Sequence, residues 1–175
     1  MLRLMLLRHA KAERSPPGGS DIERRLDNRG RHDAPLIGAY LLGQGLLPDA
    51  AVVSPAARTR ETWELVAAAL KTPPHAEFDQ RLYDATPEAI LDVVRDTRRN
   101  AAALLVVAHN PGLQELAVSL IASGDPDGRE RLSQGMPTCA LAVIDFTAQS
   151  WTKLAPRDGR LERFVTPKQL ASSDD

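Results

Sequence analysis

The sequence predicts an α/β fold, a three-layer α/β/α sandwich with helices on both faces of a mainly parallel central sheet. Three short apolar runs, at residues 4–7, 50–53 and 103–108, have the length and the Val and Leu content of strands buried on both faces. Apolar residues at helical spacing fill the segments between and after these runs. Strands that alternate with helices are typical of layered α/β domains, because the helices cover both faces of the sheet.

The helices are indicated by apolar spacing and by the residues at their ends. Ser54-Pro55 and Thr86-Pro87 each place a capping hydroxyl before a proline at the first helical position, so helices are predicted to begin there. Gly124 closely follows the last helical pattern and is predicted to end that helix. The apolar positions of the four patterns are Ala34, Ile37, Gly38, Leu41 and Leu42; Trp63, Val66, Ala67 and Leu70; Ile90, Val93, Val94 and Thr97; and Leu113, Leu116, Ala117, Leu120 and Ile121.

The rest of the chain completes one predicted domain. Cys139–Phe146 predicts a fourth strand, and Trp151–Leu154 predicts an edge strand after a turn. The segment Glu13–Gly30 is rich in charge, Gly and Pro, and is predicted to form a long surface loop. The chain has 175 residues, which suits a single domain, assigned here to residues 1–167. Residues 168–175 end in Ser-Ser-Asp-Asp and are expected to form a flexible tail.

Composition and charge exclude several classes of protein. The formal net charge of −1 does not favour a polyanion, so no nucleic-acid partner is expected. No membrane association is expected, since the apolar run before Arg8 is too short for a signal peptide and no other run approaches the ~20 residues that cross a bilayer. Cys139 is the only cysteine, which excludes an internal disulfide and fits a reducing compartment. These features predict a cytoplasmic protein.

Each of the three buried strands runs into polar side chains at its carboxyl end. In open α/β sheets, ligands bind just beyond the carboxyl ends of the strands. Two histidines and two arginines from distant parts of the sequence are therefore expected to meet at one edge of the sheet. The polar residues are Arg8 and His9 after the first strand, Ser54 and Arg58 after the second, and His109 and Asn110 after the third.

These residue types suit the chemistry of a phosphoryl group. Arg58 is predicted to lie in the first turn of a helix, where a cation opposes the helix dipole by about 0.3–1 kcal/mol. An anion bound at that terminus would reverse the sign of this interaction. The planar guanidinium groups of Arg8 and Arg58 are suited to phosphate oxygens. A neutral imidazole with one free nitrogen can attack phosphorus and form a phosphohistidine that water later hydrolyses.

Four short motifs are informative when they are considered together, in their order along the chain. They are Leu7-Arg8-His9-Ala10, Asn28-Arg29-Gly30, the run Val53-Ser54-Pro55-Ala56-Ala57-Arg58, and His109-Asn110-Pro111-Gly112. Together they resemble the motifs of the histidine phosphatase superfamily, and the match runs from residue 4 to about residue 121. The small size of the chain, the Arg-His-Ala variant and the His-Asn-Pro-Gly segment resemble the bacterial phosphohistidine phosphatase branch of that family.

The resemblance implies a phosphoglycerate mutase-like fold and a role for each matching residue. His9 is expected to be the nucleophile, with Arg8 and Arg58 as phosphate ligands and His109 as the second histidine of the phosphate pocket. No metal or organic cofactor is implied. Ala10 stands where the family usually has glycine. The expected substrate-binding residues are Arg8, Arg58, His109, Asn110 and Ser54, although Ser54 is read first as a helix cap.

The general acid is left open by the sequence. Many family members carry a glutamate after a mid-chain strand, and the nearest equivalent here is Asp84. Asp84 either protonates the leaving oxygen or caps the turn before Thr86-Pro87. A weak acid would still serve a phosphoramidate, whose nitrogen can leave already protonated, and this favours phosphohistidine as the substrate. A zinc site of His9, His109 and Asp84 is not expected, because no short ligand spacing supports it and the arginines oppose a cation.

The combined prediction is a phosphatase that removes a phosphoryl group, through a covalent intermediate on His9, from phosphohistidine on a protein. One alternative is a phosphomonoesterase for a small phosphorylated metabolite. Another is a non-catalytic module that only binds phosphate. The expected partner is accordingly a phosphorylated carrier or phosphotransfer domain, or a small phosphate ester. The short connection after the second helix predicts an open site that admits a phosphate carried by a protein.

Overall fold

The computed structural model describes residues 1–14 and 18–172. The described residues contain a single sheet of seven strands. These are β1 (Leu2–Arg8), β2 (Ala50–Val53), β3 (Ala76–Phe78), β4 (Ala103–Ala108), β5 (Ile121–Gly124), β6 (Leu141–Phe146) and β7 (Gly159–Val165). Their order across the sheet is β3-β2-β4-β1-β6-β7-β5.

Six α-helices lie among the described residues. They are α1 (Asn28–Gly43), α2 (Ala57–Ala68), α3 (Pro87–Arg95), α4 (Gly112–Leu120), α5 (Pro126–Gln134) and α6 (Pro167–Ser172). Short 3-10 turns occur at Asp21–Glu23, Gln80–Leu82 and Trp151–Lys153. None of the described helices combines the length and the apolar character needed to cross a membrane.

The sheet is mainly parallel. The half that carries the predicted polar strand ends is entirely so, since β4 pairs in parallel with both β1 and β2, and β2 pairs in parallel with β3. In the other half β6 runs antiparallel to both β1 and β7, whereas β5 is parallel to β7. Parallel neighbours bring their carboxyl ends to the same edge of the sheet. The parallel half therefore gathers the ends of β1, β2 and β4 at one edge.

The hydrophobic core is divided by the sheet into two clusters. Successive side chains of a strand point to opposite faces, so Leu4 and Leu6 of β1 join one cluster and Met5 and Leu7 join the other. The first cluster includes apolar residues of α3 and α4, and the second includes those of α1 and α2. Helices cover both faces, which confirms the predicted three-layer α/β/α sandwich. Trp63 and Cys139 are buried in the second cluster.

The edge strand predicted at Trp151–Leu154 is wrong. Residues Trp151–Lys153 form a 3-10 turn, and the Trp151 side chain is buried. Its indole N–H donates a hydrogen bond of 2.7 Å to the carbonyl of Ala101. A buried tryptophan usually pairs its indole N–H with an acceptor, and this turn places the Trp151 ring against the Ala101 carbonyl.

Two of the predicted helix ends also differ from the structure. Helix α2 begins at Ala57, and its N-cap, Ala56, makes no side-chain capping bond, so the interpretation of Ser54 as a helix cap is wrong. Helix α4 ends at Leu120 and the chain passes directly into β5, so Gly124 does not end it. Gly124 has φ +118°, and a Cβ there would collide with the backbone of Leu161 on β7. The prediction at Thr86-Pro87 is confirmed.

The two segments predicted to be irregular contain regular structure. Within Glu13–Gly30, a 3-10 turn forms at Asp21–Glu23 and α1 already begins at Asn28, where the Asp27 side chain caps it. Residues 168–172 were assigned to the tail but belong to α6, which packs against α1. Residues 15–17 of the loop and 173–175 of the tail lie outside the described residues.

Candidate active site

The carboxyl ends of β1, β2 and β4 place the predicted polar residues side by side. The backbone N–H of His9 donates to the carbonyl of Ala108 at 3.1 Å, and that of Ser54 donates to the carbonyl of Val107 at 3.0 Å. The backbone hydrogen bonds between neighbouring strands therefore continue for one residue beyond the ends of β1 and β2. As a result, the rings of His9 and His109 lie with their centroids 5.2 Å apart.

His9 is buried and held in one tautomer. Its Nδ1 lies 2.8 Å from the carbonyl oxygen of Ala10. Because a carbonyl oxygen only accepts, Nδ1 carries the proton and Nε2 keeps its lone pair in the neutral ring. Burial lowers the pKa of His9 to about 3 against the opposing effect of the Ala10 hydrogen bond, and the nearby His109, Arg58 and Arg8 lower it further. At neutral pH the ring is therefore uncharged with Nε2 as a free nucleophile.

His109 lies beside His9 and contacts Ser54. The Nε2 atom of His109 is 2.7 Å from the Ser54 hydroxyl oxygen, and its Nδ1 atom is buried with no hydrogen-bond partner among the described residues. Burial lowers the pKa of His109 to about 4, and the positive charge of Arg58 adds to this effect. When the Ser54 hydroxyl donates to Nε2, Nδ1 carries the proton and becomes a donor for an anion. Ser54 therefore orients His109 rather than capping α2.

Arg8 is the last residue of β1 and its guanidinium is only partly paired. One terminal nitrogen donates to the carbonyl of Met136 at 2.9 Å, whereas Nε is buried with no partner among the described residues. Burial lowers the pKa of Arg8, and the neighbouring charge of Arg58 lowers it further. These are the surroundings of a cation that lacks a resident counter-ion, so an anionic ligand would be stabilised here.

Asn110 supports this region from the side. Its amide nitrogen donates to the same Met136 carbonyl at 2.8 Å, and its amide oxygen accepts from the backbone N–H of Gln114 at 3.2 Å. Both ends of the Asn110 side chain are thus engaged within the fold. The structure gives Asn110 a bracing contact to the loop that also receives Arg8, whereas the sequence assigned it to substrate binding.

Arg58 lies in the first turn of α2, as predicted, and only 6% of the residue is exposed. Both of its terminal nitrogens donate to Asp21, one to the backbone carbonyl at 2.8 Å and the other to the carboxylate at 3.0 Å. Its Nε is buried with no partner among the described residues. The phenol of Tyr83 also donates to the Asp21 carboxylate at 2.6 Å, and the Tyr83 ring lies edge-on to His109.

Asp84 is exposed at the side of the site. It adopts a positive φ of 52°, and its carboxylate has no hydrogen-bond partner among the described residues. It lines a cavity of about 220 Å³ together with His109 and Glu115. Gly112 allows the closely packed wall of this cavity, since a Cβ there would collide with the carbonyl of Ala85. Asp84 is thus near His109, but no hydrogen bond within the described residues holds its carboxylate in one orientation.

Unpaired buried polar atoms are concentrated at this site. In residues 1–14 and 18–172, four buried side-chain nitrogen or oxygen atoms lack a hydrogen-bond partner. Three of them, Arg8 Nε, Arg58 Nε and His109 Nδ1, belong to the residues gathered at this edge of the sheet. Buried polar groups are nearly always paired, so such a group of donors indicates a site for an anion. Within the same ranges, no group of three or more His, Cys, Asp or Glu side chains is arranged to hold a metal ion.

Thr62 is a supporting residue that the sequence did not reveal. Its hydroxyl accepts a 2.9 Å hydrogen bond from the backbone N–H of Ala10 and donates a 2.7 Å bond to the carbonyl of Arg58. It therefore joins the chain just after the nucleophile to the turn of α2 that carries Arg58. The threonine lies four residues after Arg58, a spacing at which a hydroxyl often bonds back along its own helix. No sequence pattern could indicate the bond to Ala10.

Asp21 and Tyr83 were also missed. The predicted loop contains Asp21, but a tertiary contact across 37 residues joins it to Arg58, and composition cannot reveal such a contact. Tyr83 precedes the residue that the sequence suggested as the acid, and it is Tyr83 that reaches Asp21. The sequence thus identified the correct segment of the chain but not the side chain that makes this contact.

Proteins that are similar in sequence to this chain align with almost its whole length. Residues 4–86 match the family described as histidine phosphatase superfamily (branch 1). An uncharacterized protein of Mycobacterium tuberculosis is 34% identical over 164 residues, which cover 93% of this chain and all of that protein.

Solved structures show the same fold. A protein from Agrobacterium tumefaciens, named as a candidate phosphohistidine phosphatase SixA, has a TM-score of 0.80 and 28% identity over 95% of this chain and 98% of its own. A protein from Nakamurella multipartitia with the same designation has a TM-score of 0.81 and 28% identity over 95% of this chain and 96% of its own.

Proposed function

This chain belongs to the histidine phosphatase superfamily, and we propose that it is a phosphohistidine phosphatase acting on a phosphorylated protein through a covalent phosphohistidine on His9. The observation that carries the proposal is the state of the His9 ring. Its Nδ1 is fixed by the Ala10 carbonyl, which leaves Nε2 free, and three unpaired donors belong to the residues around it. A nucleophile beside donors for a transferring anion is the arrangement that phosphoryl transfer requires.

In the first step the lone pair of His9 Nε2 attacks phosphorus in line with the bond to the leaving group. A P–N bond to His9 forms while the bond to the leaving atom breaks, and the leaving atom takes that electron pair. The Arg8 and Arg58 N–H groups and His109 Nδ1–H would stabilise the charge on the equatorial phosphoryl oxygens. Preorganised donors of this kind supply most of the catalysis in phosphoryl transfer.

In the second step water attacks the phosphohistidine. The P–O bond forms, the P–N bond breaks, and His9 leaves as the neutral ring with its proton still on Nδ1. The two protons of the water end on inorganic phosphate or in solvent. The hydrogen bond from Nδ1 to Ala10 persists through both steps, so the tautomer needed for the next attack is restored without rearrangement.

The candidate general acid, Asp84, is poorly oriented, and this supports a phosphoramidate as the substrate. Asp84 is exposed and makes no orienting hydrogen bond within the described residues, so it is not fixed to protonate a poor leaving oxygen. The imidazole of a phosphohistidine can leave as a neutral ring once its distant nitrogen is protonated, and it needs no enzyme acid. Residues 69–75 alone connect α2 to β3, and this short connection favours a site open to a protein-borne phosphate. The single cysteine suits a cytoplasmic location for such a reaction.

A second candidate is a phosphomonoesterase for a small metabolite. One observation favours it, which is that Asp84 and His109 line the same cavity of about 220 Å³. A small leaving group held there would meet a carboxyl group able to donate a proton. A third possibility is a module that only binds phosphate, since unpaired donors would serve binding as well as catalysis.

The deciding experiment is hydrolysis of a phosphohistidine-bearing carrier protein beside a panel of phosphate monoesters. Wild type and His9→Ala are compared in each assay. The proposal predicts preferential release of phosphate from the carrier and loss of that release in the variant. Preferential turnover of one metabolite ester would transfer the function to the second candidate. Phosphate binding without any release by wild type would support the binding module.

A further inference from the structure

We propose that Asp21 and Tyr83 are positioning residues for Arg58, which keep its Nε–H directed to the phosphoryl group. This inference deepens the proposed function and rests on it for the role of Arg58. Neither residue touches the reacting atoms in the mechanism above, so both act through the guanidinium. Asp21 lies in the predicted loop Glu13–Gly30 and Tyr83 lies 62 residues further along the chain, so the two meet only in the folded chain.

Asp21 holds the guanidinium by two different groups. The Arg58 terminal nitrogens donate to the Asp21 carbonyl at 2.8 Å and to its carboxylate at 3.0 Å. A planar group held at both terminal nitrogens cannot rotate about its long axis, which fixes the direction of the remaining donor, Nε–H. That donor is buried and unpaired within the described residues. The arrangement therefore uses one end of the guanidinium for support and leaves the other for a ligand.

The Asp21 carboxylate is itself fixed by two more donors. Tyr83 donates to one oxygen at 2.6 Å, and Arg24 donates to the other at 3.0 Å. The Tyr83 bond, followed by those from Arg24 and Arg58, holds the pKa of Asp21 well below its usual range. The same bond to Asp21 raises the pKa of Tyr83, so the phenol remains a donor. The network is thus intact at any pH near neutrality.

The local fold explains why Asp21 reaches the site. Asp21 opens the 3-10 turn Asp21–Glu23, which packs against α2. An isolated antiparallel bridge between Ala12 and Leu26 closes the segment at its base. Because the turn supplies both the backbone carbonyl and the carboxylate, its conformation determines where the two acceptors lie. The segment thus serves as a support for Arg58 as well as a surface connection.

The same contacts allow the opposite interpretation, which predicts that removal of Asp21 changes activity in the opposite direction. If Asp21 occupied the place of a phosphoryl oxygen on Arg58, it would compete with the substrate, and its removal would raise activity. We favour support over competition for two reasons. Asp21 leaves Nε unpaired, and half of its side chain is exposed, so solvent screens its charge from an incoming anion.

The test compares Asp21→Asn and Tyr83→Phe with wild type. In Asp21→Asn, one carboxylate oxygen becomes an amide nitrogen that faces donors from Arg58, Tyr83 or Arg24, so the support is lost with little change in shape. We expect kcat on the phosphorylated carrier to fall by about 10- to 100-fold, because displacements of about 1 Å have effects of that size. Tyr83→Phe should lower kcat less, and Asp21→Glu should restore part of the loss.

Two controls separate positioning from a general loss of structure. Asp145→Asn alters the carboxylate of an arginine pair at the opposite end of β1, and it should leave kcat unchanged. In an Arg58→Met background, Asp21→Asn should cause little further loss, since its effect passes through Arg58. Equal losses in both backgrounds would contradict the proposal. An unchanged kcat in Asp21→Asn would also contradict it, and a higher kcat would support competition instead.

Binding of inorganic phosphate, measured by calorimetry, keeps this inference distinct from the proposed function. We expect Asp21→Asn to weaken binding of phosphate by about tenfold, which corresponds to 1.4 kcal/mol. Wild type that binds phosphate but releases none from any substrate would refute the proposed function, and the binding comparison would still test the support of Arg58. If Asp21→Asn fails to fold, Tyr83→Phe removes a single hydroxyl and provides the same comparison.

Discussion

Arg3 and Arg8 lie on the same strand, β1, and have opposite surroundings. Arg3 donates from Nε and from one terminal nitrogen to the two oxygens of Asp145, each at 2.7 Å. Arg8 has a single hydrogen bond to a backbone carbonyl, and its buried Nε has none within the described residues. The Asp145 hydrogen bond raises the pKa of Arg3, whereas burial lowers the pKa of Arg8.

The difference indicates that the arginine at the start of β1 stabilises the fold, whereas the arginine at its end is available to a ligand. At the start of β1, where the antiparallel neighbour β6 supplies Asp145, the cation is satisfied by the protein itself. At the end of β1, where its parallel neighbour β4 also ends, no carboxylate of the described residues pairs with Arg8. Proteins rarely leave buried donors unpaired, so the second arrangement is explained by a ligand that completes it. Substitution of Arg8 should therefore cost mainly activity, and substitution of Arg3 mainly stability.

The largest effect is expected from Arg8→Met. It should lower kcat/KM by about 10³-fold or more, because a well-placed arginine contributes at that scale in phosphoryl transfer. The free energy of unfolding should change by less than about 1 kcal/mol, since no ion pair is broken. Steady-state kinetics and urea unfolding measure the two quantities.

Arg3→Met provides the matched variant at the other end of the strand. It leaves the nearly buried Asp145 without its partner, so the free energy of unfolding should fall by about 1–3 kcal/mol. Its kcat/KM should stay within a few-fold of wild type. A large loss of activity in Arg3→Met, or a large loss of stability in Arg8→Met, would contradict the distinction between the two arginines.

Ser54→Ala should have an intermediate effect. It removes the 2.7 Å contact to His109 Nε2, so the tautomer with a proton on Nδ1 is no longer favoured. We expect kcat to fall by about 10-fold, which is less than the roughly 10²- to 10⁴-fold contribution of a positioned proton-transfer group, because His109 itself remains in place. Ser54→Thr keeps the hydroxyl and should retain most of the activity. Equal activity in the two variants would show that the Ser54 contact does not orient His109.

Thr62→Val should have a smaller effect on catalysis. The substitution conserves volume but removes the hydroxyl that joins the backbone N–H of Ala10 to the carbonyl of Arg58. The N–H of Ala10 is then left buried and unpaired, so stability should fall by about 1–3 kcal/mol. Activity should fall by only a few-fold, because Thr62 supports both catalytic segments without contacting the substrate. Thr62→Ser, which keeps the hydroxyl, should lose less than Thr62→Val in both measurements.

The protonation states of the two site histidines, His9 and His109, are expected not to change across neutral pH. Burial lowers the pKa of His9 to about 3 and that of His109 to about 4, so both rings stay neutral from pH 6 to pH 8. The ring resonances of these two residues in NMR spectra should therefore not titrate over that range. A titration of His9 near its usual pKa of 6.5 would mean that the ring is solvated and is not held as a neutral nucleophile.

The sequence predicted the arrangement of the parallel half more fully than that of the rest. Its strands β1, β2 and β4 contain the continuous apolar runs 4–7, 50–53 and 103–108, and their polar ends could be placed together by a general rule of open sheets. Strands β5 and β7 could not be identified in this way, because Ile121–Gly124 carries little apolar content and Gly159–Val165 alternates with charged residues. The polar helix α5 was missed for the same reason.

Within the site, the residues on strand ends were predictable and their supports were not. Arg8, His9 and His109 follow directly from where strands end, and Arg58 from its place in the next helix. Ser54 was misread because a serine before proline is a common helix cap, and only the folded chain brings its hydroxyl to His109. Asp21 and Tyr83 belong to segments whose positions are set by tertiary packing, which no local pattern encodes.

The central claim is that His9 Nε2 becomes phosphorylated during turnover. Rapid quenching of the wild-type protein with a phosphohistidine-bearing carrier, under alkaline conditions that preserve phosphohistidine, followed by mass spectrometry of peptides, tests it directly. We expect one phosphoryl group on the peptide that contains His9, formed and lost within a turnover and absent in His9→Ala. Turnover with no label on His9, or with the label on His109 instead, would contradict it.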